Sequence, residues 1–253
     1  VIHRSISESP VGAAASPSLR ALRVKIFADG ADKAGMLAMA RQPYIAGFTT
    51  NPTLMRKAGI SDYRAFAKEI LAEISDRPIS FEVFSDEFSE MERQATEVAS
   101  WGKNVYVKVP VTNTRGEPSL DLIQRLSRRR IKLNVTALTH VRQVAEVSAA
   151  LGDHAPSCIS VFAGRVADTG RDPIPIMTES LAAMRAHTNQ ELIWASPREL
   201  LNIFQADQIG CHIITVTNDV LKKLSLVGKD LGEYSLETVA MFHRDAAEAG
   251  FTL

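Results

Sequence analysis

The sequence predicts a single α/β domain closed as a (β/α)8 TIM barrel, and three observations carry that prediction. Eight short apolar or β-branched runs recur at nearly even spacing. Stretches of helical periodicity separate consecutive runs, which makes the strands parallel and their crossovers right-handed. The chain has 253 residues, the length usual for such a barrel. Six strands would suggest an open doubly wound sheet, whereas eight favour closure. The dinucleotide-binding form of that open sheet needs a Gly-x-Gly-x-x-Gly turn after its first strand, and Phe27-Ala28-Asp29-Gly30-Ala31-Asp32 is not one.

The expected strands are Arg23–Ala28, Tyr44–Phe48, Ser80–Phe84, Asn104–Val109, Ile131–Val135, Cys158–Phe162, Glu191–Ala195 and His212–Val216. Ser61-Asp62 opens a helical stretch with Tyr63, Phe66, Ile70, Leu71 and Ile74 on one face. Further helical stretches are expected over Asp86–Trp101, Leu120–Arg130, Thr139–Leu151, Pro173–His187, Pro197–Asp207 and Asn218–Leu226. An amphipathic stretch, Ser235–Gly250, closes the chain and is expected to pack on its own barrel or on a second subunit, giving a homo-oligomer. Residues 1–20, rich in Ser, Ala and Pro, read as a flexible N-terminal extension with no long apolar core of a secretory signal. Residues 21–253 read as the barrel with its C-terminal helix.

Composition removes several function classes. The 29 basic and 29 acidic residues balance, which argues against nucleic acid as a partner while leaving room for a local anion pocket. Arg128-Arg129-Arg130 is too short a run to change that; it suits the C-terminus of a solvated helix. No apolar stretch approaches the ~18 residues of a membrane span. Cys158 and Cys211 form no CxxC pair and lie beside apolar runs, so buried free thiols in a cytoplasmic protein are expected. The six histidines are scattered without HxH or HExxH spacing, and no metal or cofactor is expected.

Lys108 is the residue that points to chemistry. It lies inside the apolar run Val105-Tyr106-Val107-Lys108-Val109-Pro110-Val111. A charged ammonium in a buried strand costs several kcal/mol unless it is paired or loses its proton. The position suits either an edge strand or a functional amine, and buried amines of the second kind form Schiff bases with carbonyl substrates. Burial favours the neutral, nucleophilic form; nearby carboxylates oppose it, and desolvation is expected to dominate.

In a barrel of this kind the active site forms at the C-terminal ends of the strands. Those positions read Asp29 on strand one, Thr50 and Asn51 after strand two, Glu82 on three, Lys108 on four, Asn134 and Thr136 on five, Ser160 leading to Arg165 on six, and Ser196 with Arg198 after seven. Singly, each has an ordinary reading. Asp29 would cap a helix near Ala31, Thr50-Asn51-Pro52 would be a turn, Glu82 and Lys108 a structural ion pair, and Ser196 an N-cap before Pro197. Together they supply one amine, two carboxylates, hydroxyls, amides and two guanidiniums on one rim. An amine adds to a carbonyl, carboxylates shuttle the protons, and paired arginines with a serine form a fork for phosphate. The set is that of a class I, metal-free aldol enzyme acting on a sugar phosphate.

The chain resembles the transaldolase family, including the small transaldolases and fructose-6-phosphate aldolases. Phe27-Ala28-Asp29 looks like the family's first-strand aspartate segment, and Gly47-Phe48-Thr49-Thr50-Asn51-Pro52-Thr53-Leu54 like its TTNP signature. Val107-Lys108-Val109-Pro110-Val111-Thr112 resembles the Schiff-base strand, and Asn134-Val135-Thr136 the Asn-x-Thr of strand five. Ser160-Val161-Phe162-Ala163-Gly164-Arg165 and Ala195-Ser196-Pro197-Arg198 resemble the phosphate segments. The resemblance implies that Lys108 forms the imine with the ketose C2 carbonyl and that Asp29 takes the C4 hydroxyl proton. It implies that Glu82 works through a water held by Thr136, and that Asn51 and Asn134 bind hydroxyls and the three-carbon intermediate, with Thr50 alongside. Ser196, Arg165 and Arg198 would hold the phosphate, and Ser160 would line the pocket.

Glu82 and Phe162 separate the two activities of the family, because the aldolases carry glutamine and tyrosine at these places. Both residues favour transfer of a dihydroxyacetone unit, from fructose 6-phosphate or sedoheptulose 7-phosphate to an aldose phosphate, as in the pentose phosphate pathway. The alternatives are aldolase-type cleavage and a non-catalytic sugar-phosphate-binding barrel. Pro197 departs from the family, which usually has an aromatic residue there.

Overall fold

The computed structural model describes residues 22–252, and the extension expected over 1–20 lies outside the described residues. Eight parallel strands close into a barrel: β1 (Lys25–Asp29), β2 (Ile45–Thr49), β3 (Ile79–Glu82), β4 (Val105–Pro110), β5 (Leu133–Leu138), β6 (Ser157–Val161), β7 (Gln190–Trp194) and β8 (Ile213–Thr217). β8 pairs with β1 along its whole length and completes the ring. The strands fall on the eight expected runs, with ends moved by up to two or three residues. β6 is buried throughout, as a parallel strand covered on both faces must be.

The helices are α1 (Lys33–Ala40), α2 (Pro52–Lys57), α3 (Tyr63–Glu73), α4 (Phe88–Ala99), α5 (Leu120–Arg128), α6 (Val141–Leu151), α7 (Ala163–Ala167), α8 (Pro173–Ala183), α9 (Leu201–Gln208), α10 (Asn218–Leu221) and α11 (Leu231–Glu248), with a 3-10 turn at Lys222–Leu226. Several starts are set by aspartate caps. Asp32 accepts from the Gly35 N–H, Asp62 from Ala65, and Asp172 from Ile174, each satisfying an amide that the helix leaves free. α5 ends at Arg128 and is capped by Arg129, after which Arg130 turns the chain with a left-handed φ of 61°.

Two local readings change. Asp29 is not a helix cap: Asp32, three residues on, does that work and leaves Asp29 at the tip of β1. Ser196 is not an N-cap before Pro197 either. α9 starts only at Leu201, and the Asn202 side chain accepts from the Arg198 and Glu199 N–H groups to hold the intervening loop. Proline at a first helical position predicts a helix only when the preceding residue is extended, and Ser196 is instead left-handed with φ 58°.

Phe27, Cys158, Ile193, Ala195 and Ile213 form a buried apolar cluster, with Ala195 also lining the cavity above it. Gly47 makes this layer possible. A Cβ there would meet the Phe27 ring at 2.5 Å, so only glycine lets that ring fill the barrel.

Leu22–Lys222 is one compact unit, and the described residues from Lys223 onward belong to a second. In the latter, α11 starts at Leu231, earlier than expected, because Asp230 accepts from the Glu233 N–H. The helix has no buried residue; Leu231, Leu236, Val239 and Phe242 are exposed.

Candidate active site

Strand register assembles the site. Glu82 on β3 is paired with Lys108 on β4, and Lys108 with Asn134 on β5. Side chains alternate across a strand, so three neighbouring strands aim a carboxylate, an amine and an amide at the same level of the barrel interior. Two residues further along, Pro110 pairs with Thr136 and adds a hydroxyl above them.

Lys108 is buried, with 7% of its surface exposed. Its Nζ donates to the Thr50 carbonyl oxygen at 2.7 Å and to Oε2 of Glu82 at 3.2 Å. The other carboxylate oxygen, Oε1, accepts from the Thr136 hydroxyl at 3.4 Å. The amine is therefore neither at an edge nor in bulk water. Thr50 contributes through its backbone, since its own hydroxyl is turned to the Ser80 carbonyl.

Asp29 lies at the end of β1, where Thr49 Oγ1 donates to its Oδ1 at 2.7 Å. With that proton committed, the Thr215 hydroxyl donates to Thr49 in a short buried contact. The residue keeps a partly exposed edge, yet the surrounding protein desolvates its carboxyl. Burial pushes the group above the usual carboxylate range, against the opposing pull of Lys108 and the Thr49 hydrogen bond.

A second polar chain fixes Asn134. Ser160 donates to its Oδ1 at 2.7 Å, and its amide nitrogen donates to Ser80 Oγ at 3.1 Å. All three residues are buried, so the hydroxyls at either end hold the amide in one orientation.

These groups face a cavity of about 420 Å³, within the range of a small-molecule site. Of the twelve side chains expected at the site, ten line it; Thr50 and Arg198 do not. At one side Arg165 stacks over Phe162, 5.9 Å from the ring centre, near Ser196. α7, which carries Arg165, meets the loop carrying Ser196 at Gly164, where a Cβ would fall 1.6 Å from the Ser196 carbonyl oxygen. Ser196 and Ala137, both lining the cavity, hold left-handed backbone without being glycine, with φ of 58° and 66°. Arg198 turns to Asp168, donating from Nε at 2.8 Å and from Nη2.

Residues 26–253 match the family model for Transaldolase/Fructose-6-phosphate aldolase. The chain belongs to that family. Among curated relatives of this transaldolase-family protein, a "Probable transaldolase" of Dehalococcoides mccartyi is 33% identical over 203 residues, covering 79% of this chain and 90% of its own. Another, from Thermoanaerobacter sp. (strain X514), is 33% identical over 231 residues, 91% of this chain and 100% of its own. A solved structure from Burkholderia cenocepacia J2315 overlays with a TM-score of 0.54 at 11% identity, over 92% of this chain and 86% of that one. It shares the fold.

Thr49 and Thr215 also line the cavity and Ser80 orients Asn134, and none of the three was among the residues expected at the site. A usable signal existed. Alternation from Gly47 selects Thr49, not Thr50, as the inward threonine, and alternation from Glu82 selects Ser80. Cys158 and Cys211 are buried free thiols, and burial raises both, Cys211 to about 12. They are inert at neutral pH. Among the described residues no group of three or more His, Cys, Asp or Glu side chains is arranged to hold a metal ion. No helix among them is long and apolar enough to cross a membrane.

Proposed function

We propose that this transaldolase-family barrel transfers a dihydroxyacetone unit between sugar phosphates through an imine on Lys108. The observation that carries the reading is the buried Nζ of Lys108, 3.2 Å from a Glu82 carboxylate that Thr136 contacts on its far side, inside a cavity also lined by Asp29. The amine attacks the ketose C2 carbonyl and the oxygen takes up a proton, giving a carbinolamine. Glu82, through a water beside Thr136, protonates the departing hydroxyl, and loss of water leaves the protonated imine. Asp29 takes the proton from the C4 hydroxyl; the C3–C4 bond breaks, its electron pair flows to the imine nitrogen, and an aldose leaves. The remaining enamine attacks an acceptor aldehyde, and hydrolysis returns the amine.

Asp29 suits that task, because a raised carboxyl is a stronger base than an ordinary one once ionised. Asn51 spends its Oδ1 on the Leu54 N–H and has its amide nitrogen left for substrate hydroxyls. Asn134, oriented by Ser160 and Ser80, is suited to hold the three-carbon intermediate. Arg165 and Ser196 serve the terminal phosphate, with Arg198 joining once it releases Asp168. Glu82 and Phe162 support transfer over cleavage. The two buried free thiols suit a reducing cytoplasm. The exposed apolar residues of α11 support a homo-oligomer, which sedimentation tests.

Borohydride reduction in the presence of fructose 6-phosphate tests the chemistry. A three-carbon adduct on Lys108, with product formed only when an aldose phosphate acceptor is supplied, is the expected result. Product without acceptor indicates cleavage; no adduct on Lys108 overturns the reading.

A further inference from the structure

Glu82 stands at the tip of β3, where the strand has lost one of its two neighbours. β2 and β3 are paired only through Phe48 with Ile79 and Thr49 with Ser80. The last backbone bond between the two segments runs from the Thr50 N–H to the Ser80 carbonyl. Beyond it the chain turns at Asn51 into α2. On the other side, the Val83 N–H still reaches the Lys108 carbonyl on β4. In a parallel strand alternate residues direct both backbone groups to the same neighbour. Glu82 therefore directs its N–H and C=O to the side where no strand remains.

Tyr63, on the first turn of α3, fills that gap with one atom. Its hydroxyl oxygen accepts from the Glu82 N–H at 2.7 Å and donates its proton to the Glu82 carbonyl at 3.2 Å. The ring is held in turn by edge contacts with Phe81, Phe84 and Trp101, at centroid distances of 6.0, 4.5 and 5.6 Å. A residue that only filled space here would need no hydroxyl. This one is bonded on both sides to the backbone of a single residue.

We infer that Tyr63 is a positioning residue for Glu82: its hydroxyl stands in for the missing strand and fixes the backbone from which the carboxylate reaches Lys108 and Thr136. The inference rests on the proposed proton-transfer role of Glu82. Its physical content is that a displacement of about 1 Å in a reacting group costs on the order of a hundredfold in rate. The tip of β3 has one strand, β4, to resist such a displacement. Tyr63 neither faces the cavity nor touches substrate in this scheme, so it acts on the chemical step and not on binding.

The test compares Tyr63→Phe, Glu82→Gln and the double variant by single-turnover accumulation of the borohydride-trapped adduct with fructose 6-phosphate. Tyr63→Phe is expected to slow adduct formation by about tenfold, with KM for the ketose phosphate changed less than about twofold. In the Glu82→Gln background the same change is expected to slow it by less than about twofold, because the group being positioned has gone. Full multiplication of the two effects overturns the inference. So does an unchanged rate in Tyr63→Phe while Glu82→Gln is slow. If Glu82→Gln itself forms adduct at the normal rate, the role of Glu82 has failed and the inference falls with it, a result distinct from the previous two. Should Tyr63→Phe not fold, Phe84→Leu loosens the ring's seat and keeps the hydroxyl. It is expected to slow the same step by about two- to fivefold, and a normal rate in that variant overturns the inference.

Discussion

Arg198 grips the carboxylate of Asp168 with two nitrogens, Nε donating to Oδ1 at 2.8 Å and Nη2 to Oδ2. Asp168 thus occupies a guanidinium that the proposed function assigns to the substrate phosphate, and the pairing holds its carboxyl below the usual range. An arginine presents the same fork to carboxylate and phosphate. Replacing Asp168 by Asn is expected to lower KM for fructose 6-phosphate by about two- to fivefold, the scale of an exposed ion pair. KM for unphosphorylated fructose should stay the same, and the gain should shrink as salt is added. Steady-state kinetics with both sugars at two ionic strengths checks this.

Lys108 allows charge to be separated from nucleophilicity. Lys108→Arg keeps a cation opposite Glu82, whereas Lys108→Met removes it. Both are expected to lower turnover by at least about a thousandfold, because neither side chain forms an imine. A charge-only role would leave the arginine variant active. A coupled assay of aldose-phosphate release distinguishes the two.

Asp29 links activity to stability through its raised carboxyl. In the folded protein this group holds its proton to higher pH than in the unfolded chain, so the folded state binds more protons between the two values. Stability then falls as pH rises from the ordinary carboxylate value through the raised one, the reverse of a salt-bridged aspartate. Asp29→Asn is therefore expected to melt at a higher temperature than the parent at neutral pH and to lose that advantage in acid. It should also lose turnover, since the amide accepts no proton. Thermal melts between about pH 4 and 8 provide the measurement.

Gly164 and Gly30 make a paired test of packing. A Cβ on Gly164 would overlap the Ser196 carbonyl oxygen, a backbone atom with no rotamer to move to, whereas one on Gly30 meets nothing within 4 Å. Gly164→Ala is expected to lose about 3 kcal/mol or more, and Gly30→Ala to stay within about 0.5 kcal/mol. Urea denaturation midpoints compare them.

The strands were readable because burial on both faces leaves an unbroken apolar run, and eight such runs have few ways to close. Lys108 was readable for the same reason, as a charge interrupting one of them. The rim groups on β1, β3, β4 and β5 followed, because a strand tip in a parallel barrel has a known destination. What failed lay in the loops. Ser196-Pro197 carries the chemistry of a helix start, but the close approach at Gly164 and the left-handed turn of Ser196 occur where the loop after β7 meets α7, which local sequence does not encode. Arg198 does come beside the segment that carries Arg165, its guanidinium carbon 3.3 Å from where a Gly164 Cβ would stand, but its pairing with Asp168, 30 residues earlier on the loop after α7, was not foreseen. Tyr63 read as one apolar position on a helical face. Nothing nearby in the sequence says that its hydroxyl ends at Glu82.

Ser196, Ala137 and Arg130 share one backbone liability, a left-handed conformation that side chains with a Cβ adopt only at a cost of about 1 kcal/mol. Two of them border the cavity, and at Ser196 the strained turn presents a hydroxyl that glycine lacks. Arg130 follows the end of α5, where glycine is the residue that helix termini prefer. Arg130→Gly should therefore raise the melting temperature without altering catalysis, and the two residues at the rim are ones an engineer seeking durability should leave untouched.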